Sequence, residues 1–291
     1  MNPFESASIL EDTHALDRVS GTVRDAVHAV LRSRVVRDAL HGVWLGHPLH
    51  PVLVQVPVGA FASAGLLDAL PGHEKSADLL VATGIASSVP AAAAGLADFA
   101  EMHEQQRRVG VVHAAANTVA LALYSGSLVA RVRGDRGVGR LLGYLGLSVV
   151  GLSGYLGGHL AYRQAAGANH AEEVPHLVPP GWHDLCAVDD LGPAGEGRLR
   201  MLGEGAAAVP LLVVRRGDRI DVLSNRCTHL AGPLHEGSVD PDAGCVTCPW
   251  HGSVFSLDDG SVLGGPATAP AHAFDVRVEG GRLMVRLAGA G

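Results

Sequence analysis

Charge and aromatic rings are both scarce in this chain: 18% of its 291 residues are charged and 4% are aromatic. A disordered chain stays unfolded by being polar and highly charged, so this composition excludes one. There is no excess of basic residues either. The formal net charge of -7 argues against a nucleic-acid partner, which leaves a basic footprint. Four cysteines are too few for a disulfide-built secreted scaffold. The first twenty residues carry Glu5, Glu11, Asp12 and Asp17, with Arg18 as their one arginine. They lack the basic stretch and apolar run of a secretory signal, and they lack a twin-arginine signal. What the chain does have is apolar sequence, 47% hydrophobic residues and 38 glycines, in a length sufficient for two domains.

The apolar residues are concentrated. Val52–Leu70, Leu79–Leu96, Val109–Ala130 and Leu141–Tyr162 are each near the ~20 residues that a helix needs to cross a bilayer. Only Asp68 brings a charge into them. Four successive spans without an amphipathic stripe favour a membrane bundle over a soluble one. Gly139/Gly143 and Gly154/Gly158 have the spacing that lets membrane helices approach closely. Upstream, Thr22–Leu40 alternates apolar residues with Arg24, Arg32, Arg34 and Arg37 and reads as one amphipathic helix, on the membrane surface or packed on the bundle. Four spans put both termini on one side. Six arginines flank the spans there, against Lys75, Arg131, Arg133, Arg136 and Arg140 on the other side, so basic residues do not orient the bundle.

After a Gly- and Pro-containing stretch at 164–180 the pattern changes to short β-rich runs separated by turn signals. Pro210–Val214 and Ile220–Leu223 flank Arg-Gly-Asp, Val254–Leu257 and Ser261–Leu263 flank Asp258-Asp259-Gly260, and Phe274–Val278 and Leu283–Leu287 flank Glu279-Gly280-Gly281. Two segments in this region carry metal-binding residue types: Cys227-Thr228-His229 and Cys248-Pro249-Trp250-His251. Two thiolates and two imidazoles can hold a tetrahedral zinc or an iron–sulfur centre. Structural zinc sites more often use C-x2-4-C with H-x3-5-H. Cys245-x-x-Cys248 has no second half at such spacing.

These loops, Gly265-Pro266 and the strand pattern around them resemble the Rieske [2Fe–2S] family over roughly Trp182–Leu287. The resemblance implies that Cys227 and Cys248 bind one iron and His229 and His251 the other, in a cluster that moves one electron at a time. It also implies that Ser253 hydrogen-bonds to the cluster and that Trp250 shields it from water. Rieske proteins of quinol-oxidising complexes carry a disulfide between the ligand loops and a Tyr four residues after the second His. Here those positions are Gly232, Trp250 and Phe255. The pattern is therefore closer to ferredoxin-type Rieske domains, and Cys186 and Cys245 read as unpaired structural residues.

The stretch Gly46-His47-Pro48-Leu49-His50-Pro51 resembles the start of an uncharacterised bacterial four-helix membrane family, over about Gly42–Tyr162. That resemblance implies architecture without an activity. Helix order places His47, His50, His103, His113 and His159 on one membrane face, with Asn117 one turn beyond His113. Ionisable groups at that depth are costly and often functional. Three readings stay open for them: helix-end hydrogen bonding, a haem or metal held by a pair among His50, His113 and His159, and a quinone contact.

The expected architecture is thus multi-domain. An N-terminal amphipathic helical region covers 1–41, an all-α four-helix transmembrane domain 42–163, a linker 164–180 and an all-β Rieske domain 181–291. The expected function is one-electron transfer at the cell membrane by a multi-pass protein whose Rieske domain faces the cytoplasm. Its partners would be membrane lipid and an unidentified redox protein, and its membrane domain would connect to a quinone or haem. The alternatives are a redox sensor or assembly partner of a membrane complex, and a component of a Rieske oxygenase.

Overall fold

The computed structural model describes residues 3–289. The chain folds as two compact units. One comprises the chain up to Val36 together with Pro48–Ala166, and the other comprises Arg37–His47 together with the chain from Gly167 on.

The first unit is helical. It begins with α1 (Pro3–Glu11) and α2 (Asp17–Val30); α3 (Arg34–His41) follows. The single amphipathic helix expected over 22–40 is therefore two helices. Leu31 leaves the helical region (φ -90°, ψ 61°), and the Arg32 Nε–H donates to the Ala29 carbonyl (2.9 Å), closing the end of α2. The first span is also divided, into α4 (Leu49–Leu53) and α5 (Gln55–Asp68). Pro57 has no N–H to give the Leu53 carbonyl, and α4 stops at that residue. The remaining spans are α6 (Glu74–Ala100), α7 (Glu104–Val132) and α8 (Arg136–Gly158), the last prolonged by a π-helical turn at His159–Arg163. Among the described residues these make four helices long and apolar enough to cross a membrane, of 20, 27, 29 and 28 residues.

Glycines let the bundle close around rings. Phe61 on α5 stacks on Tyr124 on α7, ring centres 3.7 Å apart and planes 8° from parallel. A Cβ at Gly84 would lie 2.4 Å from the Phe61 ring, and one at Gly146 would lie 2.9 Å from Tyr124. The Gly139/Gly143 pair makes room for an arginine: a Cβ at Gly139 would meet Arg131 Cγ at 2.6 Å. Gly154/Gly158 does no such work. Nothing lies within 4 Å of the Gly154 position, and only Tyr162 of the same helical stretch comes near Gly158. The face of α8 that packs runs instead through Gly157, against the His113 ring.

The charge in the first span has a partner. Asp68 and Arg131 form a buried bidentate pair, and Arg131 also donates to Asp78 (3.1 Å) and, through Nε, to Ser127 Oγ (3.0 Å). At the opposite end of α7, buried Arg108 holds the N-terminal helices. It donates to Asp17 Oδ1 (2.5 Å) and to the Glu11 carbonyl (2.6 Å). The Arg108 guanidinium keeps the Asp17 carboxyl below the usual carboxylate range. α1 packs on α7, and α2 on α6 and α7. The α2 part of the amphipathic stretch is thus a layer on the bundle, while its end from Arg37 on belongs to the second unit.

The second unit is built on two antiparallel sheets. The larger has the order β1-β10-β9-β4-β3-β2 and the smaller β5-β6-β7-β8. The strands are β1 (His183–Ala187), β2 (Gly197–Leu202), β3 (Val209–Arg216), β4 (Arg219–Ser224), β5 (Ser238–Asp240), β6 (Cys245–Thr247), β7 (Val254–Ser256), β8 (Val262–Gly264), β9 (Ala273–Glu279) and β10 (Arg282–Leu287). β3 buries side chains on both faces, so its run of Leu211, Leu212, Val213 and Val214 joins two cores. The stretch at 164–180, expected as a linker, packs on this unit from Gly167 on. It contains the short α9 (Val174–Leu177), and Ala171, Val174 and Val178 are buried in the larger core.

Substituting Gly84 by Val should destabilise the bundle by about 1–3 kcal/mol through overpacking on Phe61. Gly151→Ala, where nothing lies within 4 Å, should leave stability unchanged or slightly raised. Thermal unfolding of the two variants in detergent, compared with the parent protein, reads the difference.

Candidate metal centre

Two loops built on the same hydrogen-bond frame carry the four predicted ligands. The first follows β4 and the second joins β6 to β7. In the first, the Cys227 N–H donates to the Gly232 carbonyl (2.9 Å) and the Ala231 N–H returns to the Cys227 carbonyl (2.8 Å). In the second, the Cys248 N–H donates to Ser253 O (2.8 Å) and the Gly252 N–H to Cys248 O (3.2 Å). Both frames need a left-handed residue four positions after the cysteine. Gly252 supplies it at φ 73°, and Ala231 adopts it at φ 61° despite its Cβ. The imidazole departs two residues after the cysteine in one loop and three after it in the other.

The loops meet. Cys227 and Cys248 are buried (1% and 4% exposed) and lie within one apolar cluster with Leu234, Val246, Phe255 and Leu257. Their thiols are hydrogen-bonded to each other. Accepting from Cys227, and from the N–H groups of Trp250 and His251, brings the Cys248 thiol down to about 6. The same contact, with burial, pushes Cys227 far up, against the His229 N–H and the Ser253 hydroxyl, which favour its thiolate. His229 and His251 are half-buried, with ring centres 5.1 Å apart and planes at 86°. The four predicted ligand residues are therefore assembled as a thiol pair and an imidazole pair. Among the described residues, no three His, Cys, Asp or Glu side chains converge on a single metal position.

The surroundings account for the departures noted in the sequence. Positions 232 and 250 do face each other. A Cβ at Gly232 would lie 2.8 Å from Cys248 Sγ and 3.2–3.3 Å from the Trp250 ring. The indole covers the glycine where a disulfide would otherwise join the loops, yet Trp250 remains 49% exposed and is only a partial shield. Phe255 is fully buried in the apolar cluster behind the cysteines. Cys186 is buried in the other core, Cys245 sits on β6, and both are free thiols.

Three supports escaped the sequence. Ser253 Oγ, turned to Cys227, also accepts from the Ala267 N–H (3.0 Å). Ala267 belongs to the loop after β8 that contains the cis peptide Gly265-Pro266. The Gly265 N–H donates to Asp38 Oδ1 (3.0 Å), a residue 227 positions away in the chain, and Val43 and His41 pack over Gly265. Nothing in local spacing marks Asp38 or Ala267. The Thr228 hydroxyl, donating to Ala269 O (2.6 Å), ties the same loop to the first ligand loop.

The membrane histidines do not form one cluster. His50 and His113 come together, ring centres 6.4 Å apart. His159 is buried elsewhere, with Nε2 2.6 Å from Glu11 Oε1, because α1 returns over that end of the bundle. His47 belongs to the second unit. His103 stands at the start of α7, its N–H donating to Gln106 Oε1 (2.9 Å).

Residues 181–277 match the Rieske [2Fe-2S] domain, and residues 46–170 match a predicted membrane protein family, DUF2231. Ferredoxin CarAc of Metapseudomonas resinovorans is 35% identical over 104 residues, which are 36% of this chain and 92% of that protein. The anthranilate 1,2-dioxygenase ferredoxin subunit of Burkholderia cepacia is 30% identical over 106 residues, again 36% and 92%. The cytochrome b6-f complex iron-sulfur subunit of Chlorobaculum tepidum is 30% identical over 122 residues, 40% of this chain and 62% of that one. A Rieske domain implies a [2Fe–2S] cluster and one-electron transfer, and the paired thiols and paired imidazoles fit such a group. The chain belongs to the Rieske [2Fe-2S] family through its C-terminal domain, and it carries a DUF2231 membrane domain in the same polypeptide.

Proposed function

We propose that the chain is a membrane-anchored electron-transfer protein in which Cys227 and Cys248 hold one iron of the cluster and His229 and His251 the other. The observation that carries this reading is the pairing itself. Two thiols touch each other, two imidazoles stand together, and among the described residues no third ligand completes a mononuclear site. A two-iron cluster with two protein ligands per iron needs that arrangement, whereas a single zinc would need all four at one point.

The cluster supplies a site that gains and loses one electron. The chain's own residues govern how readily. The N–H groups of His229, Trp250 and His251 and the hydroxyl of Ser253 point at cysteine sulfur. Such bonds stabilise the more negative, reduced state and raise the potential. Phe255 has no hydroxyl to add another, and the domain from Gly181 on is acidic, with 9 Arg against 14 Asp and Glu. The half-exposed imidazoles and Trp250 form the approach for a partner. The relatives that are ferredoxins of dioxygenase systems support a partner of redox-protein class. The four apolar helices anchor the protein as a multi-pass membrane component, with the Rieske unit on the cytoplasmic side. A reporter fused after the last residue should be active only in the cytoplasm, and activity confined to the outside would reverse the orientation.

His229→Cys or His251→Cys should abolish the Rieske EPR signature of the full-length protein, which depends on mixed nitrogen and sulfur ligation, while Cys186→Ser should preserve it. An unchanged spectrum after either histidine replacement would remove that residue from the site. The potential should fall in the lower part of the Rieske range, roughly −150 to +50 mV. Ser253→Ala should lower it further by removing a donor to Cys227. Protein-film voltammetry of the full-length protein checks both, and a parent value near about +300 mV would favour quinol oxidation instead.

A further inference from the structure

The histidine pair inside the helical unit is built with a regularity that the Rieske function does not explain. His50 on α4 places Nδ1 2.8 Å from the carbonyl of Ala91 on α6. His113 on α7 places Nδ1 2.8 Å from the carbonyl of Ser153 on α8. In each case the residue four positions after that carbonyl is a glycine. A Cβ at Gly95 would lie 2.7 Å from His50 Nδ1, and one at Gly157 would lie 3.2 Å from His113 Cε1. In a helix, the route to a carbonyl passes over the residue four positions on. A side chain at 95 would collide with the imidazole, and one at 157 would crowd it. Two helices thus present a carbonyl beneath a glycine, and each receives one imidazole.

The consequence is a fixed tautomer. A carbonyl oxygen can only accept, so each Nδ1 carries the proton and each Nε2 keeps its lone pair. Anchoring one ring nitrogen on a backbone carbonyl is how proteins orient a histidine that binds a metal through the other. The two rings are 6.4 Å apart, with planes at 88°. With both Nε2 atoms on the line between the ring centres, two metal–nitrogen bonds of about 2 Å each and the distance from each centre to its Nε2 come to about that separation. A quinone carbonyl is the wrong complement, because it needs a donor.

We propose that His50 and His113 are the two axial ligands of a haem bound within the four-helix unit. Among the described residues no third His, Cys, Asp or Glu joins the pair, so a bare metal ion would lack ligands. A porphyrin brings its own four. Haem sites in helix bundles are made from side chains on facing helices, as here. The pair lies within the membrane-spanning segments, His113 roughly 14 Å along α7 from Glu104. Both rings are only half-buried, and neighbouring Asn117 is exposed, its Nδ2 3.1 Å from His113 Nε2. An apolar macrocycle can enter from that lipid-facing side once Asn117 turns away. The site is separate from the cluster and does not depend on its ligand assignment.

The test is an absorption spectrum of the full-length protein in detergent, before and after addition of haemin, with a pyridine haemochrome assay for stoichiometry. The expected result is a low-spin, bis-imidazole haem spectrum at one haem per chain. His50→Ala and His113→Ala should each abolish it while the cluster's EPR signal and the elution profile stay unchanged. His47→Ala should retain it. His113→Met, which keeps a metal ligand, should hold haem with an altered spectrum and a raised haem potential. A parent protein that stays colourless in the haem region after haemin would overturn the proposal. So would a low-spin spectrum that survives both alanine variants, or a stoichiometric metal ion without porphyrin.

Discussion

Two buried sulfurs lie side by side between Cys227 and Cys248, and most of the second unit is arranged to make that tolerable. A thiolate removed from water loses its hydration, and two of them repel each other. The loops answer with donors: main-chain N–H groups from His229, Trp250 and His251, and the Ser253 hydroxyl. Each loop can aim those groups because its cysteine is clamped by hydrogen bonds across four and five residues, with a left-handed residue at the turn. The apolar cluster behind, with Phe255 and Leu234 fully buried, excludes water from the other side. The third loop holds Ser253 in place through Ala267, and Asp38 in turn holds Gly265.

A similar constraint organises the helices. Bilayer interiors offer no water to an ionisable group, so each needs a partner from the protein. Asp68 has Arg131, His159 has Glu11, and His50 and His113 have carbonyls of neighbouring helices. Glycine is the means by which those partners reach each other. Gly139 admits the stem of Arg131, and Gly95 and Gly157 admit the imidazoles. The high glycine content is thus partly a consequence of polar groups at depth, as well as of helix-to-helix packing.

The two ligand loops also show how one contact can replace another. Where a disulfide could join the loops, this protein lays Trp250 over Gly232. The ring crosses the gap between loops and remains half in solvent. In the ferredoxins among its relatives, the matched segment is 92% of the protein. Here such a domain continues a membrane bundle, and residues 37–47 from upstream of the first span pack as part of it.

Apolar runs of helical length and a Cys-x-His with a Cys-x-x-His were legible in the sequence, because hydrophobic span length and ligand identity are local properties. From them came the four spans, the β class of the second unit and the candidate ligands. Only six of the strands were visible as runs. β5 and β6 each carry a single aliphatic residue, Val239 and Val246, whereas β7 and β8, equally short, each carry two adjacent large apolar residues, and β2 carries two arginines at an edge. The break at Leu31 and the burial of Ala171, Val174 and Val178 were hidden as well, since a capping bond and a core contact are made with residues that periodicity does not name. The five histidines sorted by helix order onto one face could be divided into a pair and separate groups only by side-chain packing. Which carbonyl each imidazole meets, and which glycine permits it, depends on helices 40 and 41 residues apart. The chemistry of the chain was set by its residue types. Their pairing was decided by tertiary structure, because hydrogen bonds and close approach act between neighbours in space.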